Sequence, residues 1–273
     1  MTNPTQSVQV GDLRFDVGVH GPEGAPAILL LHGFPQTSHC WRLVLPYLQD
    51  FRVIAPDQRG YSPGARPDTG YGVPDLTRDA LGILDALGID RAHVVGHDWG
   101  AAVAWQLAAR HPDRVRSLTA VSVPHPRAFI EALRTDEDQR ERSLYMRDFA
   151  RPGYDAELLA DDGRLFRTMF GSTPPAVDVE HMLHNAQQPG ALACWLRWYA
   201  DQRLEDIVDT PRVRVPTLHV WSDGDVALGR AGTLLTKSWV EAPYRLEVLA
   251  GVTHWIPEEA ADQLGPLLQA HCG

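Results

Sequence analysis

Val94-Val95-Gly96-His97-Asp98-Trp99-Gly100 is the stretch on which the fold turns. A short β-branched run, His93 to Val95, meets a helical pattern from Ala101 to Ala109. A glycine on each side of one central residue marks a turn too tight for a side chain on either flank. In such a strand–turn–helix the central side chain stands above the sheet edge, where a nucleophile can be presented. Here that residue is Asp98, neither Ser nor Cys. A carboxylate is a poor partner for acyl transfer but a competent nucleophile toward a strained or activated saturated carbon.

Outward from this turn, the chain alternates strands and helices. Val8 to Val10 and Leu13 to Val19 read as two strands joined by Gly11-Asp12, a hairpin signal. The residues before them are polar and expected to be loosely held. Ala27 to Leu31 is apolar without alternation, as a strand buried on both faces of a parallel sheet should be. It runs into His32-Gly33-Phe34-Pro35 and a helix over about Trp41 to Leu48. Phe51 to Ala55 is another apolar run, followed by a Gly- and Pro-rich loop from Tyr61 to Tyr71. A helix opens at Pro74-Asp75-Leu76, keeping its period through Leu87, and a strand at Leu118 to Val123 follows the central turn and its helix. This alternation predicts right-handed βαβ units and an α/β fold with a mostly parallel, eight-stranded sheet.

From about Pro124 to Arg214 the alternation stops, leaving helical segments, Gly/Pro turns and a charged run, Asp136 to Arg142. Such runs are ordinarily solvated helix faces. Strands resume at Val215 to Trp221 and Tyr244 to Leu249, with helices near Ala231 to Trp239 and from Pro257. The simplest organisation is a core domain of residues 1–124 and 213–273 carrying an inserted helical cap, 125–212.

Bulk properties narrow the classes. At 273 residues, 44% of them hydrophobic, the chain can bury a sizeable core. A net charge of -10 with no basic stripe argues against nucleic acid as a partner. No apolar run is long enough for membrane insertion, and there is no charged-then-apolar leader. Three scattered cysteines, Cys40, Cys194 and Cys272, form neither a disulfide framework nor a CxxC pair. These features predict a cytoplasmic protein, for which a homodimer is one arrangement left open.

In open α/β sheets, ligands sit outside the carboxyl ends of the strands. Four such ends carry reactive groups: the His32–Pro35 loop, the Asp98 turn, Ser222-Asp223-Gly224-Asp225 and Gly251-Val252-Thr253-His254-Trp255. Taken singly, a loop Asp is usually a helix cap and a lone His a packed residue. Four strand ends agreeing on nucleophile, acid and histidine in that order is the α/β-hydrolase sequence of parts. Either Asp223 or Asp225 could serve as the acid.

The chain resembles α/β-hydrolase fold enzymes of the epoxide hydrolase family, relatives of haloalkane and fluoroacetate dehalogenases, from about Val8 to Leu268. His32-Gly33-Phe34-Pro35 is similar to that family's oxyanion-hole loop and Gly96-His97-Asp98-Trp99-Gly100 to its nucleophile elbow. Tyr145-Met146-Arg147-Asp148-Phe149-Ala150-Arg151-Pro152-Gly153 and Leu196-Arg197-Trp198-Tyr199 resemble the cap segments holding its two epoxide-binding tyrosines. The resemblance implies attack by Asp98 on an epoxide carbon of a small apolar substrate and proton donation by Tyr145 and Tyr199. It further implies hydrolysis of the ester by water activated by His254 and Asp225. The backbone N–H groups of Phe34 and Trp99 would form the oxyanion hole, with no metal and no organic cofactor.

The chain departs from the pattern at Ser222 and Thr253, where Gly is usual, and lacks the Asn two before the second tyrosine. A dehalogenase would call for halide donors such as an indole N–H, and Trp99 is a candidate. A non-catalytic binding protein would be expected to lose part of the triad. His181 and His184 lie three apart without a third metal ligand in view, so a surface helix is the simpler reading. Asp57 and Arg59 are read as turn braces and His97 as packing under the elbow.

Overall fold

The computed structural model describes residues 5–273, so the expectation for the opening residues falls partly outside it; Thr5 to Ser7 already belong to the first strand. β1 (Thr5–Val10) and β2 (Leu13–His20) form the expected hairpin. β3 (Ala27–Leu31), β4 (Arg52–Pro56), β5 (Ala92–His97), β6 (Val115–Val121), β7 (Thr217–Ser222) and β8 (Tyr244–Leu249) complete an eight-stranded sheet. Its order is β1-β2-β4-β3-β5-β6-β7-β8, antiparallel between β1, β2 and β4 and parallel from β4 to β8. The non-alternating strands are the central ones, because both of their faces are covered. Leu29, Leu31 and Val94 face one apolar layer with α1 (Val73–Ala86) and α2 (Trp99–Arg110). Ile28, Leu30 and Val95 face the other, against Trp41, Val44, Leu264 and Leu268.

The elbow joins β5 to α2. Asp98 has φ 51 and ψ -124, a conformation costing roughly 1–3 kcal/mol for a residue with a side chain. It is imposed by close approach on both sides. A Cβ at Gly96 would stand 2.1 Å from the Gly100 oxygen, and one at Gly100 would stand 2.1 Å from the Leu31 oxygen. Both glycines are therefore steric requirements, as the motif implied.

Between β6 and β7 the described chain is helical: α3 (Pro126–Thr135), α4 (Glu137–Arg142), α5 (Tyr145–Phe149), α6 (Tyr154–Thr168), α7 (Ala176–Ala186), α8 (Ala191–Ala200) and α9 (Leu204–Val208). α8 is fastened to the loop after β4. The indole N–H of Trp195 donates to the Gly60 oxygen at 3.1 Å, and that of Trp198 to the Arg59 oxygen at 2.9 Å. Trp195 also stacks on Tyr61, ring centres 4.4 Å apart.

Three helical expectations are redrawn. Trp41 to Leu48 is a pair of 3-10 turns, Ser38–Leu43 and Leu45–Tyr47. Pro46 lacks the N–H an unbroken helix would need there, so the chain restarts with Pro in the first turn. The stretch near Ala231 to Trp239 is α10 (Arg230–Leu235) running into a 3-10 turn, Thr236–Trp239. The last helix is split at Ala260 into α11 (Ile256–Glu259) and α12 (Ala261–Cys272).

The loop that receives α8 is itself pinned by Arg59, whose Nε and Nη2 each reach Asp79 of α1 at 2.6 Å. Both side chains are buried. Removing one partner of a buried pair leaves the other charge unmatched, at a cost of about 3–5 kcal/mol. Asp79→Ala is thus expected to lower stability by that amount in urea unfolding; a loss within about 0.5 kcal/mol, as at an ordinary surface site, would contradict it.

Candidate active site

The β5–α2 elbow carries Asp98, the loop after β3 carries Phe34, the loop after β7 carries Asp225 and the loop after β8 carries His254. Parallel strands put all four at one sheet edge, and the side chains meet there. The Phe34 N–H donates to Asp98 Oδ1 at 2.8 Å. Asp98 Oδ2 lies 3.5 Å from His254 Nε2, and His254 Nδ1 lies 2.8 Å from Asp225 Oδ2. The Trp99 backbone N–H, next along the chain, helps keep the Asp98 carboxylate ionised. All three titratable groups are buried.

The two candidate acids are separated by what they touch. Asp225 Oδ1 accepts from the N–H groups of Ala227 and Leu228 at 2.8 and 2.9 Å, leaving Oδ2 for the imidazole. Asp223 is exposed and accepts from the Gly251 N–H at 2.7 Å, bracing the neighbouring loop. The departures at Ser222 and Thr253 meet each other: the Ser222 hydroxyl donates to the Thr253 oxygen at 2.7 Å. Thr253 in turn gives its N–H and hydroxyl to Glu259.

Tyr145 and Tyr199 lie across from Asp98 and share one cavity of about 100 Å³ with it, along with Trp99, Phe129 and Leu228. Their rings meet edge-to-face, centres 6.2 Å apart. The Trp99 ring packs edge-to-face against Tyr199, centres 5.1 Å apart. A larger, open groove of about 1140 Å³ lies along His39, Arg42 and Trp195. None of Asp98, Asp225 and His254 lines it, whereas Asp98 lines the small apolar cavity.

The remaining sequence candidates fall elsewhere. His97 packs beneath the elbow, and Asp57 accepts the Ser38 N–H at 2.8 Å. His181 accepts from Asn185 within α7 and lies against His39. Among the described residues no group of three or more His, Cys, Asp or Glu is arranged to hold a metal ion, and no helix is long and apolar enough to cross a membrane.

The charged run needs a correction. Most of Asp136 to Arg142 is solvated, but Gln139 is buried and Arg142 half-buried. Gln139 accepts the Gly229 N–H at 2.7 Å and donates to the Ala227 oxygen at 2.8 Å, while Arg142 donates to the Asp225 oxygen at 2.5 Å. This helix therefore clamps the loop that carries the acid. The one uncharged side chain in a charged run was the available signal.

Electrostatics couple Asp98, His254 and Asp225. Burial pushes the His254 pKa down, but Asp225 and Asp98 outweigh it and raise it to about 10. Burial pushes Asp98 up, and the hydrogen bond and charge of His254 outweigh that, so its pKa is lowered. At neutral pH the resting pair is then carboxylate and imidazolium. Both tyrosines are shifted well above the ordinary phenol value, by burial first and the Asp98 charge second for Tyr145, and by burial and then Tyr145 for Tyr199. They keep their protons and remain donors.

A doubly wound, mostly parallel sheet with an Asp–His–Asp constellation at its carboxyl edge defines a hydrolase of the α/β class. The family described as the alpha/beta hydrolase fold matches residues 26–261. Epoxide hydrolase A of Mycobacterium tuberculosis is 32% identical over 95% of this chain and 94% of its own. Human epoxide hydrolase 4 is 30% identical over 94% of this chain and 75% of its own. A solved epoxide hydrolase from hot-environment metagenomes superposes with a TM-score of 0.91 at 29% identity, covering 100% of this chain and 99% of that one. The chain belongs to the epoxide hydrolase family of the α/β-hydrolase fold, and it is an enzyme.

The raised His254 value depends on two carboxylates, so neutralising one must lower it. Asp98→Asn is expected to bring the imidazole titration, followed by NMR, down from about 10 while leaving Asp225 in place. The stability from this pairing is fully present below the ordinary histidine value, about 6.5, and is lost as pH rises through about 10. The same variant should flatten that alkaline loss; an unchanged titration would contradict the coupling.

Proposed function

We propose that the chain hydrolyses small apolar epoxides to vicinal diols, with the helical segment 125–212 acting as a cap on a core of 1–124 and 213–273. The observation that carries this reading is the sharing of one apolar cavity by the Asp98 carboxylate and two phenol hydroxyls. Oδ1 of Asp98 is already held by Phe34, so Oδ2 is the oxygen free to attack. The Asp98 Oδ2–carbon bond forms as the carbon–oxygen bond of the ring breaks. The developing alkoxide takes a proton from Tyr145 or Tyr199, which hydrogen-bond it as charge builds.

Ester formation then changes the base. It cancels the Asp98 charge that helped keep His254 protonated, and the imidazolium releases its proton to restore the tyrosine. Neutral His254, oriented by Asp225, takes a proton from water as the water oxygen attacks Cγ of Asp98. The oxyanion forms on Oδ1, facing the N–H groups of Phe34 and Trp99. Collapse expels the second alcohol, and the Asp98 carboxylate and His254 imidazolium are regenerated. The sum is epoxide plus water giving diol.

The dehalogenase alternative is less well supported because the cavity that reaches Asp98 is lined by two phenols, Tyr145 and Tyr199, beside the one indole of Trp99. A ligand-binding protein without activity would have no use for an assembled Asp98–His254–Asp225 arrangement. Donor tyrosines are needed for an alkoxide and not for a departing halide. Tyr145→Phe with Tyr199→Phe is expected to slow styrene oxide ring opening by ~10²–10⁴-fold in single turnover. Undiminished turnover, or chloride release from 1-chlorobutane at an unaltered rate by both proteins, would favour halide displacement instead.

A further inference from the structure

Behind His254, a line of hydrogen bonds leads away from the cavity. The backbone oxygen of His254 lies 2.8 Å from His97 Nε2. The other ring nitrogen, Nδ1, lies 2.8 Å from the side-chain amide of Gln36. The far end of that amide lies 2.6 Å from Glu258 Oε1. Gln36, His97 and Glu258 are all buried, so solvent cannot correct a misplaced proton.

Counting hydrogens leaves two arrangements. A carbonyl only accepts, so His97 Nε2 carries a hydrogen. If Gln36 turns its oxygen to Nδ1, that nitrogen must carry one as well; the ring is then imidazolium and Glu258 a carboxylate facing the amide NH2. If the amide is rotated by half a turn, its NH2 donates to a bare Nδ1 and the ring is neutral. The amide oxygen then faces Glu258 Oε1, and two oxygens at 2.6 Å require a hydrogen between them. A neutral ring beside an ionised Glu258 satisfies neither geometry.

The surroundings favour the neutral arrangement. Glu258 is faced by Gln36, by Cys40 and Arg42 of the Ser38–Leu43 turn, and by Asp178 of α7. Arg42 is the only cation among them; its Nη2 is held by both oxygens of Asp178, at 2.7 and 2.9 Å, and its buried Nη1 makes no hydrogen bond to Glu258. Glu258 Oε2 is buried with no partner among the described residues, an arrangement a carboxylate tolerates far less than an acid. On the other side, the His97 ring is centred 4.9 Å from the His254 ring, so a second imidazolium would oppose protonation of the base. Burial drives Glu258 up to about 8, with Asp178 adding to it, and drives His97 down to about 4, with His254 adding to it.

We propose that Glu258 is a positioning residue for the hydrolytic step: it keeps its proton, donates it to the Gln36 carbonyl, and through Gln36 holds His97 as the neutral Nε2–H tautomer against the His254 carbonyl. Two consequences follow for His254, whose part as base is the reading given above. Its backbone is held from behind by a donor of fixed direction, which sets the ring between Asp98 and Asp225. Its pKa is also spared a neighbouring positive charge during ester hydrolysis. The acid does not touch substrate; it acts through two side chains.

Nitrogen NMR of the resting ¹⁵N-labelled enzyme tests this without substrate, so the outcome is independent of which reaction the enzyme performs. With His97 assigned by comparison with His97→Gln, the wild type is expected at pH 7 to show one protonated and one bare ring nitrogen. The Nδ1 signal should shift as pH rises through about 8 and Glu258 ionises. In Glu258→Gln, whose amide donates at every pH, the neutral tautomer should persist and that shift should be lost. An imidazolium signature for His97 at pH 7, or identical His97 titrations in the two proteins, would overturn the proposal. If Glu258→Gln does not fold, infrared spectroscopy of the wild type decides: a protonated-carboxyl C=O stretch that disappears as pH rises through about 8 supports it, and its absence at pH 7 overturns it.

Discussion

The contact between the Asp98 carboxylate and the Phe34 N–H is the constraint on which the rest of the site depends. It joins the elbow to the loop after β3 and leaves Oδ2 outside that contact, so in the proposed mechanism it decides which oxygen attacks and which later carries the oxyanion. The strained backbone of Asp98 is acceptable because the sheet holds both neighbours so closely that no other path fits. The strain is stored where the chemistry needs a side chain raised clear of the sheet. Everything behind it, from the His254–Asp225 pair to the Gln139 clamp, keeps partners aimed at that one carboxylate.

In the proposed mechanism, charge explains why one constellation can serve two steps of opposite demand. Ring opening needs an ionised Asp98, and an imidazolium beside it secures that. Ester hydrolysis needs a free imidazole, and consuming the Asp98 charge favours it. In that reading the site exchanges roles through its own covalent state, and the tyrosines enter the reaction protonated because burial first, and the nearby negative charge after it, oppose their ionisation.

Much of this could be read from the chain because it depends on local rules. The non-alternating run Ala27 to Leu31, the hairpin at Gly11-Asp12 and the glycines around Asp98 each follow from sterics within a few residues. The pairing of Tyr145 with Tyr199 across the cavity came from resemblance, since nothing local ties two residues so far apart. The choice of Asp225 over Asp223 also needed the resemblance, because only the folded loops show which carboxylate the imidazole meets. The Gln139 clamp showed only as one uncharged side chain in a charged run, and the Gln36–Glu258 contact not at all: the partners of a neutral amide come from distant parts of the chain. The helix expected at Trp41 to Leu48 misjudged how far Pro46 would limit continuation.

The central claim is that the Asp98 carboxylate is consumed and rebuilt at every turnover. Repeated turnover of styrene oxide in heavy-oxygen water, followed by mass analysis of the peptide containing Asp98, tests it most directly. Label should enter the Asp98 side chain, because water attacks Cγ and its oxygen stays there when Oδ2 leaves with the diol. Diol carrying the label from the first turnover, with Asp98 remaining unlabelled, would contradict the account by showing that water attacks the epoxide directly.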